Sequence, residues 1–135
     1  MSIIKRTIMI FPEFENIGFI NELRNKYDPL ADKVHPHITL VFPFESDLTT
    51  SEVYRAIDNC LSTMQPFQIE ARELSTSGRW LFIDIKNGTD VLSSVHNALY
   101  ENGFSKYKPV WLREYKPHIT VGVFGTKEEA ENACE

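Results

Sequence analysis

The tetrapeptide Pro-His-Ile-Thr occurs twice in this chain, at 36–39 and at 117–120, and each copy runs on into an apolar stretch. Those stretches are Leu40-Val41-Phe42 and Val121-Gly122-Val123-Phe124. Their β-branched and aromatic content predicts a strand in both places. Side chains alternate faces along a strand, so His37 and Thr39 share one face while Ile38 and Leu40 share the other. His118 and Thr120 repeat this against Ile119 and Val121. Two such strands side by side give a pocket with two imidazoles and two hydroxyls. That is an acid–base pair with hydrogen-bond donors for an anion. One His-x-Thr alone is an ordinary half-buried strand surface, but packing gives no reason for it to recur at matching points of two similar halves.

The segment 106–116 adds charge. Lys106, Lys108, Arg113 and Lys116 alternate there with Tyr107, Trp111 and Tyr115, just ahead of the second motif. Interleaved cations and aromatics hold phosphate while stacking a base. Lys108, Arg113, Lys116, Trp111 and Tyr115 are therefore the candidate substrate-binding residues. The competing expectation is a solvated loop in which Trp111 covers the core.

His35 lies on the face of His37 and Thr39, so His35, His37 and His118 form a candidate metal triad. Its counterpart in the second copy is Lys116, which suits an anion and not a metal, and no carboxylate joins the histidines on either strand face. The reading is accordingly of a site without metal or cofactor. His96 falls beside the apolar stripe Leu92, Val95 and Leu99 and is expected on the flank or surface of its helix. Cys60 and Cys134 have no histidine partner matched by the repeat, which disfavours cysteine catalysis.

The elements that must position these residues follow in order. Arg6–Phe11 reads as a strand stopped by Pro12. Ile17, Ile20, Leu23 and Tyr27 fall at helical spacing up to Asp28-Pro29. The first motif strand closes at Pro43. Thr49 and Glu52 form a capping box for a helix with the stripe Val53, Ala56, Ile57, Cys60, Leu61 and Met64. Phe67, Ile69 and Ala71 alternate as a strand, and Ser75-Thr76-Ser77-Gly78 is turn material. Trp80–Ile85 is the next strand. Asn87-Gly88 turns the chain into a helix begun by Thr89 and Asp90 and closed at Asn102-Gly103. After the second motif strand, Thr126 and Glu129 make a second capping box for a helix containing Ala130 and Ala133.

The chain thus reads as duplicated β-α-β-α-β halves, about 1–75 and 78–135, with the last strand of the second half missing. The fold class expected is α+β: one domain of two small antiparallel sheets facing one another, helices outside, with the motif strands opposed across a cleft. The absent strand leads us to expect a short sheet with an open edge in the second half, covered by further residues or by an intermolecular contact.

With 135 residues there is room for a core but little for an accessory module. The formal charge of −5 argues against a general grip on long nucleic acid. A small anionic substrate, or the end of an oligonucleotide, remains compatible. No apolar run reaches membrane-spanning length, the first residues lack the layout of a signal peptide, and the two cysteines show no metal or CxxC spacing. Reduced thiols, a cytoplasmic setting and a monomer or edge-mediated dimer are the expectation.

Two His-hydrophobic-Thr-hydrophobic motifs, here His37-Ile38-Thr39-Leu40 and His118-Ile119-Thr120-Val121, one per half of a duplicated domain, resemble the 2H phosphoesterase superfamily and its 2′-5′ RNA ligase-like branch. The resemblance covers the order of elements over nearly the whole chain. It implies a bilobal fold with a central cleft and metal-independent action on 2′,3′-cyclic phosphates or related cyclic phosphodiesters of nucleotides, with 2′-5′ ligation as the reverse reaction. His37 and His118 would then be the acid–base pair, and Thr39 and Thr120 the phosphate ligands. A module that binds a nucleotide or RNA end in the same cleft without turnover would carry the same motifs. So would a metal-dependent enzyme built on His35, His37 and His118.

Overall fold

The computed structural model describes residues 3–15 and 17–134. Among these residues five strands and four α-helices follow in order: β1 (Ile4–Ile10), α1 (Ile17–Tyr27), β2 (Ile38–Ser46), α2 (Thr50–Leu61), β3 (Glu70–Ser77), β4 (Trp80–Asn87), α3 (Thr89–Asn102), β5 (His118–Val123) and α4 (Lys127–Cys134). A single 3-10 turn at Ser105–Tyr107 precedes β5. The strands form two antiparallel sheets, β1-β2 and β3-β4-β5. The α+β class expected from the repeat is the class observed.

The order β-α-β-α recurs along the chain, and the halves share parts. β3, the third strand of the first half, joins β4 and so belongs to the sheet of the second half. The two-stranded sheet is therefore that of the first half, not the second as the linear repeat suggested. Helices cross over as well. α1 packs on β5, α4 on β3 and β4, α3 on β2, and α2 on α3. Each sheet is covered by a helix from the opposite half, because a sheet face and a helix stripe bury apolar surface wherever they fit, irrespective of chain order. Ile20, Ile38, Val41, Leu81, Leu99, Phe104, Ile119 and Val121 are wholly buried and join one core. Each contributes about 1.5–3 kcal/mol of hydrophobic stabilisation.

Three local differences have physical causes. The stretch Ser75–Ser77 is strand and not turn, since Ser75, Thr76 and Ser77 pair with Phe82, Leu81 and Trp80. The reversal falls on Gly78, whose φ of 58° is the left-handed conformation that glycine adopts freely. β2 runs through Pro43 to Ser46. The proline sits at a register shift opposite β1, where no ladder N–H is required of it. At α2 the capping box of Thr49 and Glu52 is complete. At α4 only the Glu129 N–H to Thr126 hydroxyl bond is formed.

Gly122 explains how α1 reaches β5. A Cβ placed there would lie 2.5 Å from the Tyr27 Cβ, so the helix and strand approach too closely for any side chain.

Candidate active site

The two motifs share one burial pattern. In each, the residue before the proline is exposed, the proline is buried, the histidine half-buried, the isoleucine buried and the threonine half-buried. His37 Nδ1–H donates to the carbonyl of His35 at 2.9 Å, and His118 Nδ1–H donates to the carbonyl of Lys116 at 2.7 Å. A carbonyl only accepts, so both rings hold their proton on Nδ1 and keep Nε2 for a reacting partner. Among the described residues neither Nε2 has a hydrogen-bond partner.

Each motif also ends on the same backbone irregularity. Met9 pairs with Thr39 and Ile8 with Val41, so Leu40 is an extra residue. Phe82 pairs with Thr120 and Leu81 with Gly122, so Val121 is extra. A bulge one residue past each threonine makes two successive residues face the core, Leu40-Val41 and Val121-Gly122. Bulges bend a strand and re-aim its side chains, and they concentrate beside active sites.

β2 and β5 are neighbours, and the charge of His37 is felt at His118. Burial pushes the His118 pKa below its ordinary value of 6.5. The Lys116 carbonyl and the Asp84 carboxylate work against that, while His37 adds to it. Asp84 lies directly across the ladder from His118 and accepts from the Ser75 hydroxyl at 2.7 Å. The Phe82 ring lies 4.0 Å from the His118 imidazole. On the other side, Phe11 meets His37 edge-on at 6.2 Å.

The remaining expected residues are placed as follows. Lys108, Arg113 and Lys116 are exposed and enter no ion pair among the described residues. The charge of Lys108 acts on His96, not on a motif histidine. Trp111 is 62% exposed and stands edge-on to Phe42 at 5.1 Å. Tyr115 differs from the stacking role expected of it. Its hydroxyl donates to the Thr39 carbonyl at 2.6 Å, and its ring stacks on His96 at 3.9 Å.

His96 is a correction. It is 2% exposed, not on a helix flank, and its Nδ1–H donates to the Leu40 carbonyl at 2.7 Å. Burial among Phe42, Tyr100 and Tyr115 pushes its pKa below the ordinary 6.5 and favours the neutral imidazole. His35 gives the site its carbonyl and turns its ring to Phe11. No group of three or more His, Cys, Asp or Glu side chains arranged to hold a metal exists among the described residues, so the three-histidine arrangement is not assembled. A cavity of about 1040 Å³ is lined by Leu40, Leu92 and Val95 among others and by none of the motif histidines and threonines. Sequence reasoning passed over Phe82 and Asp84. The signal was present, since Asp84 is the lone charge in the apolar run Trp80–Ile85 and shares the parity of Phe82.

Two small antiparallel sheets with a matched His-x-Thr strand in each define a two-histidine phosphoesterase-type domain. Residues 12–135 match the 2′-5′ RNA ligase superfamily, and the chain belongs to that family. It is 29% identical over 122 residues to a Geobacillus kaustophilus protein named "Putative phosphoesterase", covering 87% of this chain and 68% of that one. Proteins of the same name from Oceanobacillus iheyensis and Bacillus mycoides are 30% and 32% identical over 125 and 127 residues, covering 87% of this chain and 69% of each. Family and relatives alike support a phosphoesterase role. No helix among the described residues is long and apolar enough to cross a membrane.

Proposed function

We propose that this protein hydrolyses 2′,3′-cyclic phosphodiesters of nucleotides or RNA ends, using His37 and His118 as an acid–base pair and needing no metal or cofactor. The observation that carries this reading is the matched pair of Nδ1-anchored histidines, each followed by a threonine and a bulge.

Opening a cyclic phosphodiester requires two proton transfers on opposite sides of phosphorus. Water loses a proton as it attacks, and the departing ring oxygen gains one as its bond to phosphorus breaks. His118, its pKa lowered by burial, is neutral at neutral pH and serves as the base through Nε2. His37 serves as the acid, giving a proton from Nε2 to the leaving oxygen. Thr39 and Thr120 donate to the non-bridging oxygens, where charge accumulates. Lys116, Arg113 and Lys108 supply positive charge near the second motif, and Trp111 an exposed ring for the base. With a 5′-hydroxyl in place of water as the attacking group, the same two proton transfers join RNA ends through a 2′-5′ phosphodiester. The partner is thus a nucleotide or an oligonucleotide end, not long nucleic acid or a membrane, met in the cytoplasm by a monomer or edge-paired dimer.

The test is turnover of 2′,3′-cyclic nucleotides and short cyclic-phosphate oligonucleotides in EDTA, with the released isomer identified. His37→Ala and His118→Ala should each lose ~10²–10⁴ in rate. The double variant should be little worse than either single one, because the two groups act as a unit. His35→Ala keeps its backbone carbonyl and should keep the rate. Binding without turnover would identify a non-catalytic module, and activity lost in EDTA and restored by zinc would identify a metal enzyme.

A further inference from the structure

The two motifs differ in what holds them. Around the bulge of the first, three backbone groups of β2 are taken by side chains from the second half of the chain. Tyr115 donates to the Thr39 carbonyl, His96 to the Leu40 carbonyl, and Tyr100 accepts from the Phe42 N–H at 2.9 Å. The residue placed on α1 as His96 is on α3 is Arg24, four positions after Ile20 as His96 follows Leu92. It is equally buried, at 1% exposure, but spends its guanidinium on Asp28 and the Leu30 carbonyl, within its own segment. No side chain of the first half reaches the backbone of the second motif among the described hydrogen bonds.

We propose that Tyr115 and His96 are positioning residues for the first motif: by holding the carbonyls of Thr39 and Leu40 they set His37 and Thr39 against the second motif. This rests on the reading that the paired motifs carry the chemistry. Tyr115 stands three residues ahead of His118, so its hydroxyl is a direct tie between the two motifs, across 76 positions of sequence. The parallel stack of His96 on Tyr115, 9° from coplanar, makes the two donors one rigid unit. Leu40 is the extra residue of the bulge, and His96 provides the partner that its carbonyl takes. Burial keeps Tyr115 protonated and His96 neutral, so both remain donors of a single N–H or O–H. A rate that depends on two opposed imidazoles is sensitive to their separation, and a displacement of about 1 Å costs on the order of 10²-fold.

The test uses the full chain and the cyclic-nucleotide assay. Tyr115→Phe removes one oxygen and keeps the stack. Its kcat should fall about 10- to 100-fold, with KM within about 3-fold of wild type. In a Thr39→Ala background the same change should cost clearly less than in the wild type, because one of the two groups it places is gone. His96→Asn, which keeps an N–H near Nδ1, should stay close to wild type, while His96→Leu should share the loss. Wild-type kcat in Tyr115→Phe, or an equal loss in both backgrounds, overturns the proposal. If His37→Ala is inactive and Tyr115→Phe is not impaired, only the positioning role falls. If His37→Ala keeps the wild-type rate, the catalytic reading falls first. Should no cyclic nucleotide turn over, NMR decides. Tyr115→Phe should move the Thr39 methyl and His37 ring resonances and leave the distant Thr49 methyl in place, and unmoved Thr39 and His37 signals overturn the proposal.

Discussion

His118 stands directly across the β4–β5 ladder from Asp84, and the carboxylate opposes the effect of burial on the imidazole. Removing that charge while keeping the acceptor for Ser75 isolates the electrostatic part. With Asp84→Asn the His118 pKa should drop further, so the acidic limb of the kcat/KM profile should move to lower pH. Profiles measured from mildly acid to neutral pH check this. A limb that stays put or moves upward would show that His118 is not the base.

Thr39 and Thr120 occupy equivalent places, half-buried and followed by a bulge. Replacing either by alanine removes one hydrogen bond to a charged oxygen, about 1.5–3 kcal/mol. The loss in kcat/KM should be roughly 10- to 100-fold by that figure, below the loss for either histidine. A threonine variant as inactive as His118→Ala would give the hydroxyl a role in proton transfer instead.

Stability should carry the mark of two histidines held neutral. His96 and His118 both have pKa values lowered from 6.5, chiefly by burial. The unfolded chain therefore binds protons more tightly than the folded one. Their contribution is fully present above pH 6.5 and is lost as pH falls through the folded values. Urea midpoints should decline on acidification below that point, and His96→Asn should flatten the decline. A midpoint that rises on mild acidification would contradict the assignment.

Gly122 tests the packing between the halves. An added methyl meets the Tyr27 Cβ, so Gly122→Ala must push α1 from β5. Overpacking of this kind costs about 1–3 kcal/mol. A thermal midpoint lowered by several degrees is the expected result, and an unchanged one would mean that α1 yields freely.

Much of this molecule was legible in one dimension. Pro36–Thr39 and Pro117–Thr120 announce themselves by identity, and strand periodicity alone puts each histidine on the face of its threonine. The Thr49–Glu52 capping box and the apolar stripe of α2 are local signals, formed by residues within one or two turns of each other, and they appear as read except that α2 ends at Leu61 and leaves Met64 beyond it.

What required the tertiary structure is everything set by partners distant in sequence. Local propensity made Ser75–Ser77 a turn, but pairing with Trp80–Phe82 made it strand. Linear order assigned β3 to the first half, whereas the free edge of β4 assigned it to the second sheet. His96 looked like a helix flank because its partners, the Leu40 carbonyl and the Tyr115 ring, lie on other elements. Tyr115 looked like a base-stacking surface until the fold brought its hydroxyl to Thr39. Residue type and spacing set which side chains can do chemistry. The distance between the two histidines, and the groups that hold it, depend on contacts the chain makes only once β3 has joined the second sheet and α1 and α3 have packed on the opposite halves.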